Sequence, residues 1–403
     1  MRDPVGPKVS RSLGAAAAAV AVAIVLLVAT AAAAASGPAA AGTGGTAASA
    51  SATHFGIIVP ASGDIVAVRR NAGQDSLWSI DPATKTGSQL VTLPFRPASV
   101  AQSPGGRRLA YLPMSAGPKV YVYDIKTGIL VSRSLSARGV KVIDSLTWLT
   151  STKLLVAGKT TAGRAFYPFA DRLYVLDAVS GASSRFRKLS GTEPSVAPAG
   201  TLLVYVRLSD GGPVGSGSPM RFVIERLYRL KLAAGTTPHL LATAKYPDGL
   251  DIRRFHDPRL SQRGSYLISS TTGSDISVSY MVRSASGVVR RTVKTALAGS
   301  AATAWSNHGN HVAFWSMPLA DNTDTTRLLV YSPASDLLRH SDKLSKVAVT
   351  GLAWSSSDDL LAYGLRGFNS LDDVAELWTI DPSTLSLSSA QDLGAGSLPV
   401  FVP

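Results

Sequence analysis

The 403-residue chain contains no cysteine. That one absence excludes a disulfide framework, a thiolate zinc site, a cysteine nucleophile and the acylated cysteine of a lipoprotein. Charge is also sparse, at 16% of residues, and there are only six histidines. No Gly-x-Ser-x-Gly elbow occurs, and no Gly-rich phosphate loop follows a strand, so two large enzyme classes lack their central motif. No long stretch after the N-terminus keeps a 3.6-residue apolar period, so few helices are expected. Hydrophobic residues nevertheless make up 45% of the chain, enough for a sizeable core and too many for wholesale disorder.

The apolar content is uneven. Arg2, Lys8 and Arg11 precede an uncharged stretch from Leu13 to Ala35 centred on Ile24 to Val28. This is long for the apolar region of a signal peptide and just long enough for a bilayer span. Residues 1–35 are therefore expected to be a cleaved export signal or a signal-anchor transmembrane helix. Residues 36–53 contain only Ala, Gly, Ser and Thr with one Pro, the composition of a flexible linker. Both options place the rest of the chain outside the cytoplasm, secreted or held at the membrane by its N-terminal segment.

Residues 54–403 consist of short Val-, Leu-, Ile-, Tyr- and Trp-rich runs between Gly, Pro, Ser, Asp and Asn clusters, an all-β pattern. One strand type recurs after a polar turn. It is seen at Ile65–Val68, Leu109–Tyr111, Leu154–Val156, Leu202–Val204, Tyr266–Ile268, Val312–Phe314 and Leu360–Ala362. Successive copies lie roughly 45 to 50 residues apart, with one longer interval, as propeller blades do. Trp148, Trp305 and Trp354 stand just before the turn, where wide rings would fill the space between stacked sheets. A second marker is an alternating strand ending in Asp, followed by Thr-Gly or Ser-Gly, as at Val120–Gly128 and Leu173–Gly181. An Asp capping the turn and a Gly tolerating positive φ describe a hairpin between outer strands.

The unit Pro97–Tyr111 followed by Val120–Gly128, and the similar unit Val349–Asp381, resemble the TolB-like and YVTN-type (WD40-like) β-propeller families. The resemblance implies a ring of four-stranded blades whose faces and central channel bind proteins, peptides or small ligands. Two features depart from it: the Ser-Pro-Asp-Gly turn is degraded in most units, and Phe255–Thr295 lacks the Asp and Thr-Gly pair. The repeats predict seven blades, with six to eight admissible. For the ring to close, either Phe55–Val59 or the C-terminal Leu398–Val402 must supply the first blade's innermost strand. The second choice ties both ends of the chain into one sheet and is the expected one.

Candidates for chemistry are few. His256 and Asp257 begin an inner strand, where side chains can face the channel, and are taken as ligand-binding candidates. His308 and His311 are the only close histidine pair, but no third or fourth metal ligand accompanies them. Asp358-Asp359, Asp372-Asp373 and Glu376 read as surface charge, since no Asp-x-Asp-x-Asp-Gly loop is present. Two insertions interrupt the repeat. Gly158–Asp171 carries Phe166, Tyr167 and Phe169, candidate partner contacts, and Ser209–Arg221 is a Gly-, Ser- and Pro-rich loop. No catalytic residue, metal or cofactor is expected.

Residues 54–300 hold 32 basic and 14 acidic groups, and residues 301–403 hold 5 and 11. Behind an export signal this excess points to a cell-envelope polyanion or protein as partner and away from nucleic acid. The functional expectation is an extracytoplasmic binding or protein-interaction module. The alternative is a propeller enzyme of lactonase or lyase kind with its site in the channel.

Overall fold

The computed structural model describes residues 63–401, except 72, 82–83, 85, 116, 161–170, 198, 217–219, 248–254, 273–277, 296–302, 317–326, 342–346, 355–359, 367–374 and 388–390. The leader, the linker, Phe55–Val59, the three aromatics Phe166, Tyr167 and Phe169, and the acidic pairs all lie outside the described residues. Within them, no helix is long and apolar enough to cross a membrane.

The described residues form 27 strands in six sheets. The first strands are β1 (Ile65–Asn71), β2 (Gln74–Ile80) and β3 (Gly87–Thr92). The first four-stranded sheet is β4 (Pro97–Gln102), β5 (Arg108–Pro113), β6 (Lys119–Asp124) and β7 (Ile129–Ser134). The next is β8 (Val142–Trp148), β9 (Lys153–Lys159), β10 (Asp171–Asp177) and β11 (Ser183–Ser190). It is followed by β12 (Thr192–Val196), β13 (Leu202–Pro213), β14 (Arg221–Lys231) and β15 (His239–Pro247). Then come β16 (His256–Leu260), β17 (Tyr266–Thr272), β18 (Val278–Ser284) and β19 (Val289–Thr295). The last sheet of this plan is β20 (Thr303–Trp305), β21 (Val312–Ser316), β22 (Arg327–Ser332) and β23 (Leu337–Ser341). The chain ends in β24 (Val347–Trp354), β25 (Leu360–Arg366), β26 (Ala375–Ile380) and β27 (Gln391–Phe401).

These last four strands join β1 to β3 in a single seven-stranded sheet. The seven separate blades that the repeats predict are therefore six by hydrogen bonding. The reason is one shared strand: Gln391 to Gly394 of β27 pair with β26, while Ala395 to Phe401 pair with β1. The C-terminal segment does come round to pair with the first strand, leaving no free inner edge there. The inner strands β4, β8, β12, β16, β20, β24 and β27 adjoin one another in that order and return to β4. The result is a closed β-propeller around a central axis.

Apolar runs are long in second strands such as β5, β9 and β21 because both of their faces are covered. In β9, Leu154, Leu155, Val156 and Ala157 are all fully buried, two against each neighbouring sheet. Core clusters accordingly straddle sheets: Leu155 and Leu173 pack with Leu203 and Tyr205, and Ile268 and Tyr280 pack with Phe314 and Tyr331. Truncating such a side chain to Ala removes about 2–5 kcal/mol. The three tryptophans lie between neighbours as their positions predict. Each indole Nε1 donates to the preceding inner strand: Trp148 to Ala101 O at 2.9 Å, Trp305 to Arg259 O at 2.9 Å and Trp354 to Ala304 O at 3.0 Å.

Each inner strand runs from a loop face, which carries the connections between second and third strands, to a turn face of tight hairpins. On the turn face the Asp marker does what its chemistry suggests. Asp124 Oδ1 accepts the N–H groups of Lys126 and Thr127, and Asp177 Oδ1 those of Val179 and Ser180 at 3.0 and 2.7 Å. Gly128 and Gly181 complete the turns at φ +66° and +78°, a region L-residues disfavour.

Arginines on the turn face reach across to the next sheet's outer turn. Arg133 donates to Ala178 O and Val179 O, Arg187 to Leu232 O and Ala233 O, Arg229 to Ala285 O and Arg339 to Pro382 O. Arg291 instead meets the Asp336 carboxylate at 3.5 Å. Part of the basic excess in residues 54–300, Arg133, Arg187 and Arg229 among it, thus serves backbone carbonyls.

Candidate functional site

Where the inner strands begin, on the loop face, their ladders are irregular at matching positions. Register shifts fall between Pro97 and Ser99, Ile143 and Ser145, Thr192 and Ser195, His256 and Arg259, and Val349 and Gly351. A bulge adds an unpaired residue and re-aims its side chain. In three successive sheets the bulge holds a carboxylate: Asp144, Glu193 and Asp257. Glu193 and Asp257 sit at φ +49° and +46°, a conformation that costs a non-glycine residue about 1–3 kcal/mol.

The strained residues are held by one another. Ser145 Oγ accepts the Glu193 N–H at 3.0 Å, and Glu193 Oε2 accepts the Asp257 N–H at 2.6 Å. Glu193 Oε1 lies 2.9 Å from His256 Nδ1. Arg259 directs Nε and Nη2 to Asp257 Oδ2, each at 2.9 Å, and Nη1 to Thr303 O at 2.8 Å. At the other end, Asp144 Oδ2 accepts the Thr192 hydroxyl at 2.5 Å, and its Oδ1 lies 3.2 Å from Lys159 Nζ. A continuous polar chain therefore crosses β8, β12, β16 and β20. It combines three carboxylates, two cations and a histidine.

The network is fixed yet reachable. The side chain of Glu193, in the middle of the chain, is only 12% exposed, whereas those of His256 and Arg259 are 49% and 46% exposed. The Asp257 carboxylate raises the Arg259 pKa and so secures its charge. It also adds to the rise in the Tyr280 pKa, which burial dominates; that phenol donates to Trp315 O at 3.2 Å. Such an array can present donors and acceptors to a polar ligand, and the Glu193–His256 pair can exchange a proton with one. No group of three or more histidines and carboxylates among the described residues is arranged for a metal.

Sequence reasoning placed His256 and Asp257 at an inner-strand start, and both are there. It missed Asp144, Glu193, Lys159 and Arg259. A signal existed for Glu193: Glu193-Pro194 and Asp257-Pro258 occupy the same place in successive units. The His308–His311 pair is divided. His311 turns inward, with Nδ1 2.7 Å from Ser332 Oγ and its ring stacked on Trp354. His308 lines a cavity of about 470 Å³ at the turn-face end of the inner strands, with Gln102, Thr147, Gln262 and Asn307. The described ends of the Ser209–Arg221 insertion are strand, where the sequence predicts a loop. β13 and β14 continue their ladder through it to Pro213 opposite Arg221, braced by an Asp210–Arg221 ion pair.

No family model matches the chain, and no curated protein matches it. Among solved structures, the periplasmic gluconolactonase PpgL of Pseudomonas aeruginosa is similar at 15% identity and TM-score 0.53, over 85% of this chain and 99% of that one. TolB from Acinetobacter baumannii is similar at 14% identity and TM-score 0.43, over 86% of this chain and 68% of that one. A putative TolB from Agrobacterium tumefaciens gives 12% and 0.43, over 69% and 88%. At 15% identity the likeness to the gluconolactonase is one of fold alone, a β-propeller.

Proposed function

We propose that this propeller is an extracytoplasmic binding module, exported or tethered by its N-terminal segment, that takes a polar ligand or a partner's polar side chains at its loop face. The reading is carried by the network of Asp144, Glu193, His256, Asp257 and Arg259, which holds two residues at positive φ while leaving the histidine and arginine heads exposed. Strain that persists around accessible polar groups is characteristic of sites where geometry matters more than stability. Every carboxylate in the network already has a cation or N–H partner, an arrangement suited to recognition.

The experiment is capture from cell-envelope fractions by the full chain, compared with Glu193→Gln and with Arg259→Gln. Wild-type capture that both variants lose, with thermal midpoints unchanged within a few degrees, is the expected result. Equal capture by all three would refute the loop-face site. The lactonase alternative is favoured by one observation, the Glu193–His256 pair at 2.9 Å on a fold shared with the gluconolactonase. Gluconolactone hydrolysis by the same three proteins distinguishes it: turnover abolished by Glu193→Gln would replace the binding reading.

A further inference from the structure

On the turn face, away from that network, a pocket of about 620 Å³ lies between the β12–β15 sheet and the β16–β19 sheet. Arg229, Lys231 and Arg263 line it together with Leu202 and Leu232, and no carboxylate takes part. None of the ion pairs among the described residues involves any of the three cations. Like charges around one cavity repel, and the cost is relieved when an anion enters. The pocket is also built rather than incidental. Arg229 is anchored through its bond to Ala285 O, and Leu232 N–H bonds Thr201 O at 2.9 Å across the rim. Gly264, at φ +72°, lets the turn carrying Arg263 lie directly on the neighbouring sheet. A Cβ added there would come within 2.7 Å of Leu202 Cδ2.

We propose that this pocket binds a phosphate group borne on an ester. Two guanidinium forks and an ammonium suit a tetrahedral dianion with several acceptor oxygens better than a single carboxylate. Leu202 and Leu232 offer an apolar wall to the ester's carbon chain. The group has two sources, a soluble phosphate ester and a phospholipid headgroup. The pocket does not depend on the loop-face reading, since it shares none of its residues.

The test uses the full chain at low ionic strength with two probes: glycerol 3-phosphate followed by phosphorus NMR line broadening, and phosphatidylglycerol vesicles against phosphatidylcholine vesicles by sedimentation. Lys231→Gln/Arg263→Gln removes two charges whose side chains make no internal hydrogen bond among those of the described residues. Arg185→Gln/Lys188→Gln removes the same charge from β11, outside the pocket. The expected result is saturable binding of at least one probe, weakened about tenfold or more in the pocket variant and unchanged in the control. Every variant carries the same N-terminal segment, so membrane attachment through it cancels in the comparison. Response to glycerol phosphate alone identifies a soluble ester, and response to the anionic vesicles identifies the headgroup. Saturable binding of neither probe, or equal weakening in both variants, overturns the proposal.

Discussion

The two faces of the ring use the same kinds of charged side chain in opposite ways. On the turn face, Asp124, Asp177 and Asp381 accept hydrogen bonds from the turns they begin, and Arg133, Arg187 and Arg339 donate to carbonyls of the next sheet. Most of their partners are backbone groups, although Asp124 also pairs with Arg107 and Arg108 at 3.3 and 3.1 Å; the aspartates brace their own turns and the arginines fasten one repeat to its neighbour. On the loop face, Glu193, Asp257, His256 and Arg259 bond largely to one another, across bulges that strain the chain. Charge bonded to backbone is structural, whereas charge organised into a network on bulged strands is what a ligand would meet if the proposed loop-face site is right. Net charge cannot distinguish these uses, because an arginine counts the same in both.

The comparison would fail if turn-face fastenings alone held the ring together, and opening the ring tests that most severely. Removing residue 394 onward deletes all of the segment that pairs with β1, from Ala395 to Phe401, and leaves every arginine on the turn face in place. The exposed inner edge of β1 and the lost closure should abolish soluble expression. A truncated protein with wild-type thermal stability would show that closure is dispensable and the latches suffice.

A smaller effect is expected from a single latch. Arg187 donates to Leu232 O at 2.6 Å, Ala233 O at 2.9 Å and Thr236 Oγ1 at 3.1 Å. Charge-assisted bonds to carbonyls are worth more than neutral ones, but the side chain is exposed and screened by solvent. Arg187→Ala should lower stability by about 1–2 kcal/mol, read as a lower urea midpoint with unchanged slope. Arg187→Lys should recover little of it, because an ammonium lacks the fork that reaches two carbonyls at once. Full recovery with lysine would mean that charge, and not geometry, makes the latch.

The difference between the faces also governs what the sequence discloses. The turn face is legible because tight turns need particular residues at fixed offsets: the Asp cap, the Gly at positive φ and the Trp before the hairpin all recur where the structure uses them. Ring closure was legible for a similar reason, as a spare apolar strand at the C-terminus had one edge to fill. Fusion of the first and last repeats into one sheet was not, because it depends on β27 serving two partners in succession. The loop-face network was half legible. His256 and Asp257 draw attention as a polar pair opening an inner strand, but Asp144 and Lys159 lie 113 and 98 positions ahead of Asp257 and meet the network only through folding. The arginine latches left no local sign either, since most of their partners are backbone carbonyls roughly one repeat away.

The finest distinction is between single carboxylates, in what holds each ionised, since Asp124 on the turn face combines the Thr127 N–H with Arg107 and Arg108. Asp381 is brought down to about 2 by the hydroxyl and N–H of Ser383, then by Thr384, and Asp177 is lowered first by the Ser180 N–H. Asp210, on the extended β13–β14 hairpin of the loop face, is lowered chiefly by its bond to Arg221 and then by the Gly212 N–H. A depressed folded-state pKa stabilises above the unfolded value near ~4, and that contribution disappears as pH falls through the folded value. The Asp381 turn should therefore loosen between about 4 and 2, whatever the ionic strength, because short hydrogen bonds to neighbouring groups are not screened. The Asp210 pair is exposed and ionic, so about 0.5 M salt should move its pKa back toward the ordinary carboxylate range. Carboxylate titrations by carbon NMR at low and high salt separate the two. Equal salt sensitivity at Asp381 and Asp210 would show that the turn hydrogen bonds and the ion pair hold these two carboxylates alike.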